Sequence, residues 1–179
     1  MPDTQWPRYM VFQQEQPGDV FIHNSTVHAP DAEIALLNAR DVFARRPQAY
    51  AMWVVPNEAI FTKTREEIEN DGWGDMPDSQ APEDFHIFGK TTQQGQLQHL
   101  GTQAGATAED ALRQFVESYS GGEIWFWWSF PVSAVTSTAD DEAESFFRPF
   151  EAHEFKDQAN YPVITMMRQI KARGKLEDR

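Results

Sequence analysis

With no cysteine in its 179 residues, the sequence leaves proton transfer and metal ligation to five histidines and a surplus of carboxylates. Thiolate catalysis, thiolate metal sites and disulfides are excluded outright. His23 and His28 fall on one predicted strand at odd spacing, so their side chains point to opposite faces and cannot share a metal. Glu83 and His86 have the Glu-x-x-His spacing of di-iron carboxylate proteins. That motif works from facing helices of a four-helix bundle, and here it occurs once, opening a strand after Pro82. Glu151, His153 and Glu154 could hold a metal only with help from distant residues. GxGxxG, Walker and GxSxG sequences are absent, so no phosphate cradle or serine nucleophile elbow is written into the chain. The residues imply no catalytic constellation, no metal and no cofactor.

The charge balance narrows the partners. A formal net charge of −13 and a pI near 4.7 repel phosphate backbones and anionic lipids, so neither nucleic acid nor a membrane is expected. A solvated acidic surface accounts for this charge; salt adaptation or a basic partner would also. Hydrophobic content of 40% and aromatic content of 13% suffice for a packed core. No apolar run reaches the ~20 residues of a membrane span. The opening MPDTQWPRY lacks the features of a signal peptide, and a cytoplasmic protein is expected.

The elements come in two series. RYMVFQQ, a Pro17-Gly18-Asp19 turn and VFIHNSTVH predict a hairpin. PDAEIALLNARDVFARRP then places Ala32, Ala35, Leu36, Ala39, Val42 and Phe43 on one helical stripe, and AYAMWVV is a third strand ended by Pro56. In the second series FHIFGK and LQHLGTQ form a hairpin. Thr107 and Asp110 cap a helix whose stripe is Ala108, Ala111, Leu112, Phe115, Val116 and Tyr119. Gly121-Gly122 is its stop, and EIWFWWSF is a third strand closed by Pro131. Phe12 matches Phe88, His23 matches His99 and Leu36 matches Leu112 at an offset of 76 residues; Trp53 matches Trp128 and Pro56 matches Pro131 at 75. The same local signals recurring in the same order indicate an internal repeat.

The expected fold is α+β: two tandem ββαβ units of β-grasp or ubiquitin-roll type, each with a mixed sheet, forming a pseudo-dimer followed by a partly helical C-terminal tail. The units span residues 1–64 and 83–138, joined by an acidic linker at 65–82. A C-terminal extension, 139–179, packs on the units or on a partner. Trp73, between two glycines, is read as an anchor for the linker, with a partner contact as the alternative. In IWFWW, alternation sends Trp125 and Trp127 to one face and Phe126 and Trp128 to the other. Both faces must therefore be covered, and a ligand cage is the alternative use of those rings. Ile34 and Leu37 lie off the buried stripe and are candidate contacts.

Three segments of the first series, WPRYMVFQQ, VHAPDAEIALLNARDVFARR and AMWVVP, resemble PaaB, a small component of the phenylacetyl-CoA epoxidase system, from about Trp6 to Ile60. The ALxNARDxxxRR run followed by WVV is the specific part. The resemblance implies a subunit without a cofactor, bridging or supporting a catalytic di-iron subunit and its non-catalytic partner in the epoxidation of phenylacetyl-CoA. It also implies Arg40, Arg45, Arg46 and Trp53 as docking residues. A solvated helix face for the arginines and core packing for Trp53 are the alternatives. The second series and the long aromatic tail depart from the short family pattern. The alternative roles are service to a different oxygenase and a small-molecule-binding or enzymatic module built on the aromatic cluster of the second unit, with a homo-oligomer as a further assembly of the pseudo-dimer.

Overall fold

The computed structural model describes residues 5–44, 49–74, 81–138, 146–147 and 166–167. Met1–Phe147 forms one compact unit. Of the other, Arg148–Arg179, only Met166 and Met167 are described, both helical.

Strands β1 (Arg8–Gln14) and β2 (Ile22–His28) make the first hairpin. Gly18 supplies its turn with a φ of +87°, a value that side-chain-bearing residues avoid. Helix α1 (Ala32–Phe43) starts where Asp31 caps it, accepting a 2.8 Å hydrogen bond from the Ile34 amide. It buries Ala35, Leu36 and Ala39. Val42, expected in that stripe, is 61% exposed; it lies at the stripe's margin in the last turn. Strand β3 (Ala51–Pro56) is followed by a 3-10 turn at Asn57–Ala59, strand β4 (Phe61–Thr64) and helix α2 (Arg65–Asp71). The second series gives β5 (Glu83–Lys90), β6 (Gln98–Gly105), α3 (Ala108–Ser118), β7 (Phe126–Pro131), a 3-10 turn at Val132–Ala134 and β8 (Thr136–Ser137). Thr107 caps α3, its hydroxyl accepting from the Asp110 amide at 3.1 Å. The helix ends at Ser118, ahead of the expected glycine stop, although Gly122 does take a positive φ of 104°. EIWFWWSF is shorter as a strand than expected, beginning at Phe126.

Among the described residues eight strands form one sheet in the order β4-β7-β5-β6-β2-β1-β3-β8, and every pairing there is antiparallel. The α+β class holds, but the mixed β-grasp sheets do not form. In each series the helix carries the chain across the middle strand, so the two strands it connects run parallel without touching, each paired antiparallel to the strand between them.

Exchanging β1–β4 with β5–β8 leaves this order unchanged, read from the other end. Pairing irregularities fall at Val11/Phe12 and at Ile87/Phe88. At the seam Ile22 pairs with Gln98, the residue 76 positions on. Beside it the His23 amide donates to the Leu97 carbonyl at 2.9 Å and the His99 amide to the Phe21 carbonyl at 2.8 Å. Strand β4 leaves its own series to pair with β7, and β8 crosses back to pair with β3. The sequence signals show no such exchange, since Phe61–Thr64 and Thr136–Ser137 fall within their own units, 1–64 and 83–138.

One face of the sheet carries the helices. Ala111 and Leu112 of α3 pack with Phe85, Ile87, Ile124 and Trp127. Met10, Phe12, Val55, Phe88, Leu97, Trp128 and Phe130 make a second core on the opposite face. The Phe12 and Phe88 ring centroids are 4.6 Å apart and those of Phe12 and Phe130 5.2 Å. Trp53 and His86 approach to 4.6 Å. These residues lie on strands that are not neighbours in the sheet, so the sheet folds over about its β2–β6 seam and its two halves cover each other. Phe126 and Trp128 turn to this inner face and Trp127 to the helix face, as alternation requires. Burying a phenylalanine this completely contributes about 2–3 kcal/mol.

The acidic stretch after β4 is docked onto the second series. Thr64 and Glu67 form a reciprocal capping box on α2. Lys63 bridges to Glu109 at 3.1 Å and lies 4.9 Å over the Trp73 ring. The Gly74 amide donates to the same carboxylate at 2.9 Å, and Trp73 packs on the core beneath α3. Trp73 is an anchor.

Candidate functional site

Three of the five histidines meet in the aromatic interior. His23 lies 5.5 Å from Phe12 and 4.9 Å from Trp128. His86 and His99 are 4.9 Å apart, with His86 Nδ1 3.1 Å from His99 Nε2. Burial pushes the pKa of all three down, because a charged imidazole loses its hydration there. His86 falls furthest, to about 4, through burial first and the neighbouring His99 second. A hydrogen bond to the Gly101 backbone favours protonated His99 and partly offsets its burial. Using Nδ1–H for that bond leaves Nε2 to accept from His86 Nδ1–H, so the pair is neutral at neutral pH.

A group that loses protons on folding makes stability rise with pH. His86 is therefore compatible with the fold above its unfolded value of 6.5 and opposes it progressively as pH falls toward 4. The full difference would be ~3.4 kcal/mol, and screening of this half-exposed ring reduces it to about 1–2 kcal/mol. We expect His86→Gln to flatten the stability profile between those two pH values; denaturant titrations at a series of pH values check this. An unchanged profile would mean His86 titrates normally.

Beside the histidines a cleft of about 470 Å3 opens between the two series. Gln13, Ile22, His23 and Asn24 line it from one side, and Lys90, Leu97, Phe126 and Trp128 from the other. Among the described residues His23 Nε2 and Trp128 Nε1 are buried with no hydrogen-bond partner, as is Ser129 Oγ on the other face of β7. Among the described residues no group of three or more His, Asp or Glu is placed to hold a metal. Glu83 and His86 share strand β5 at odd spacing; Glu83 accepts from Ser133 Oγ at 3.3 Å while His86 faces His99. Glu151, His153 and Glu154 lie outside the described residues.

The family model "PaaB: Phenylacetic acid degradation B" matches residues 5–73. The B component of the 1,2-phenylacetyl-CoA epoxidase of Escherichia coli (strain K12) is 37% identical over 67 residues, which cover 37% of this chain and 70% of that relative. The chain belongs to the PaaB family. No solved structure matches it, and no helix among the described residues is long and apolar enough to cross a membrane. The PaaB match ends at the anchor Trp73, so it takes in β1 through α2.

On this PaaB-family chain the expected docking residues separate into two groups. Ile34 and Leu37, one turn apart on α1, are 38% and 39% exposed, and Val42 is exposed in the last turn of the same helix. Arg40 shares the helix, ion-paired to Asp41 at 3.1 Å and lying 4.8 Å over the Phe146 ring. Trp53 instead faces inward, stacked on Phe21 at 3.7 Å. Arg45 and Arg46 lie outside the described residues. Val42 and the Phe146 contact went unread in the sequence. Val42 satisfies the helical stripe on paper, and nothing local marks Phe146 as a ring for Arg40.

Proposed function

We propose that this chain is a non-catalytic bridging subunit of a multicomponent di-iron phenylacetyl-CoA 1,2-epoxidase, serving aerobic phenylacetate catabolism in the cytoplasm. Its partners are the catalytic di-iron subunit and that subunit's non-catalytic companion. Residues 1–64 and 83–138 are two copies of one unit, joined by residues 65–82 and followed by an extension at 139–179. The pair acts as a dimer written into one chain. The palindromic strand order, the matching pairing irregularities and the self-paired seam at Ile22 and Gln98 support this reading.

The observation that carries the docking role is a difference between the two helices. Where α1 exposes Ile34, Leu37 and Val42, the residues 76 positions on are Asp110, Arg113 and Ser118. Asp110 and Arg113 are locked together at 2.7 Å, and the Asp110 carboxylate also accepts from the Ala106 amide at 3.0 Å. Among the described residues, α1 thus presents exposed apolar side chains where α3 is sealed with charge. A bridging partner would grip the first.

Co-elution with the oxygenase core tests this. The wild-type chain is expected to form a stable complex, and Ile34→Glu/Leu37→Glu to weaken it at least about tenfold by burying charge in an apolar contact. Failure of the wild type to associate at micromolar concentrations would overturn the subunit role. Undiminished binding by the double variant would move the docking face elsewhere.

A further inference from the structure

The cleft beside His23 goes beyond a bridging role. At the matching place in the other half the space is filled: Phe21 stacks 3.7 Å from Trp53. On the cleft side Leu97 replaces that ring, and the cleft lies beside Trp128, which is itself only 9% exposed. The histidines diverge in the same way. His99 Nε2 is paired with His86, but the residue 76 positions before His86 is Met10, which offers no comparable hydrogen bond. His23 Nε2 is left bare, and Trp128 Nε1–H, in the adjacent ring, is bare as well. A buried polar atom without a partner costs about 1–3 kcal/mol. Two of them, one an acceptor and one a donor, belong to residues that line one cavity.

The remaining wall restricts what would fit. Phe126, Leu97 and Ile22 are apolar, whereas Lys90 and Glu15 bring opposite charges to the same opening. The Lys90 ammonium already donates to the Gln93 carbonyl at 3.0 Å and lies 5.6 Å over the Phe126 ring. No net charge is left to select an ion. The volume lies within the range of small-molecule sites.

We propose that this cleft binds a small uncharged aromatic molecule bearing a hydroxyl, a phenol, with its ring against Phe126 and Trp128. The hydroxyl donates to His23 Nε2 and accepts from Trp128 Nε1–H. Both nitrogens lack accessible surface, so the ligand reaches them only when the two rings turn toward the cleft.

The test uses the full chain and phenol itself. The chain has six tryptophans, and the Trp128 indole N–H resonance is identified by its loss in Trp128→Phe. Titration with phenol should shift that resonance saturably, with a dissociation constant of about 1 mM or below, as a ligand of this size permits. Benzene, which cannot engage either nitrogen, should bind roughly tenfold more weakly. Trp128→Phe should weaken phenol by a similar factor, read by thermal shift, and Trp73→Phe, under α3, should leave it unchanged. A shift that does not saturate, equal affinity for benzene and phenol, or unaltered binding by Trp128→Phe would each overturn the proposal. So would a crystal structure in phenol showing only water on both nitrogens. If Trp128→Phe fails to fold, the wild-type comparison of phenol with benzene, read by thermal shift, decides the matter.

Discussion

Phe12→Ala is expected to destabilise the protein by about 3–5 kcal/mol, the range for truncating a fully enclosed phenylalanine. Phe12 has no exposed surface, and its ring meets Phe88 at 4.6 Å, Phe130 at 5.2 Å, His23 at 5.5 Å and Trp128 at 6.1 Å. Three of those partners, Phe88, Phe130 and Trp128, belong to the second series, so the cavity would open across the contact that holds the halves together. Domains have total stabilities of only about 5–15 kcal/mol, and a loss of this size leaves many of them partly unfolded. Phe88→Ala should cost a similar amount. Because the two rings touch, the double variant should depart from additivity by at least about 0.5 kcal/mol. Urea denaturation of the four chains measures all three quantities. Losses below about 1 kcal/mol for each, summing without coupling, would show that the two halves do not meet through these rings.

Gly105→Val is expected to have the next largest effect, a loss of about 3 kcal/mol or more, with Gly105→Ala smaller but still clear. A Cβ built on Gly105 would stand 2.5 Å from the Ala111 amide nitrogen and 2.7 Å from its Cα. Both are backbone atoms of α3, held by the helix, and neither can swing aside. The clash can be relieved only by lifting the helix from β6, which uncovers Ala111 and Leu112, both fully buried. At the matching place in the first half the residue is Ala29, also buried, so α1 tolerates the methyl that α3 does not. Thermal unfolding of both variants is the measurement. A melting temperature unchanged by Gly105→Val would mean that α3 does not rest on β6 as closely as described.

What the sequence revealed, and what it hid, follow from the range of each interaction. Caps and turns are local. Thr107 could be read as a helix start because a short polar side chain before an apolar stripe reaches only its own first turn, as Asp31 does on α1. The faces of β7 were legible because alternation is set by the backbone. Strand direction was not. A hairpin followed by a helix and a strand is compatible with a mixed sheet or an antiparallel one, and which arises depends on where the third strand lands. The destinations of β4 and β8 were equally hidden, since Phe61–Thr64 and Thr136–Ser137 find their partners in the other series. For the sites, the exposed pair Ile34 and Leu37 stood out by violating helical periodicity. The cleft did not: it comes from Leu97 standing where Phe21 stands in the other half, a difference of volume that matters only once the two halves are folded over each other.

The crossing of β4 and β8 has a kinetic consequence. Phe61–Thr64 leaves the ribosome long before Phe126–Pro131, the strand it must join, and β3 likewise waits for Thr136–Ser137 near the end of the sheet-forming chain. Such distant pairings slow folding, because the intervening loop must close before the contact contributes. During synthesis the first series is left with a loose ribbon and a bare aromatic surface, the state most prone to capture by another nascent chain. Two such first halves, meeting on neighbouring ribosomes, could complete each other in place of their own second halves.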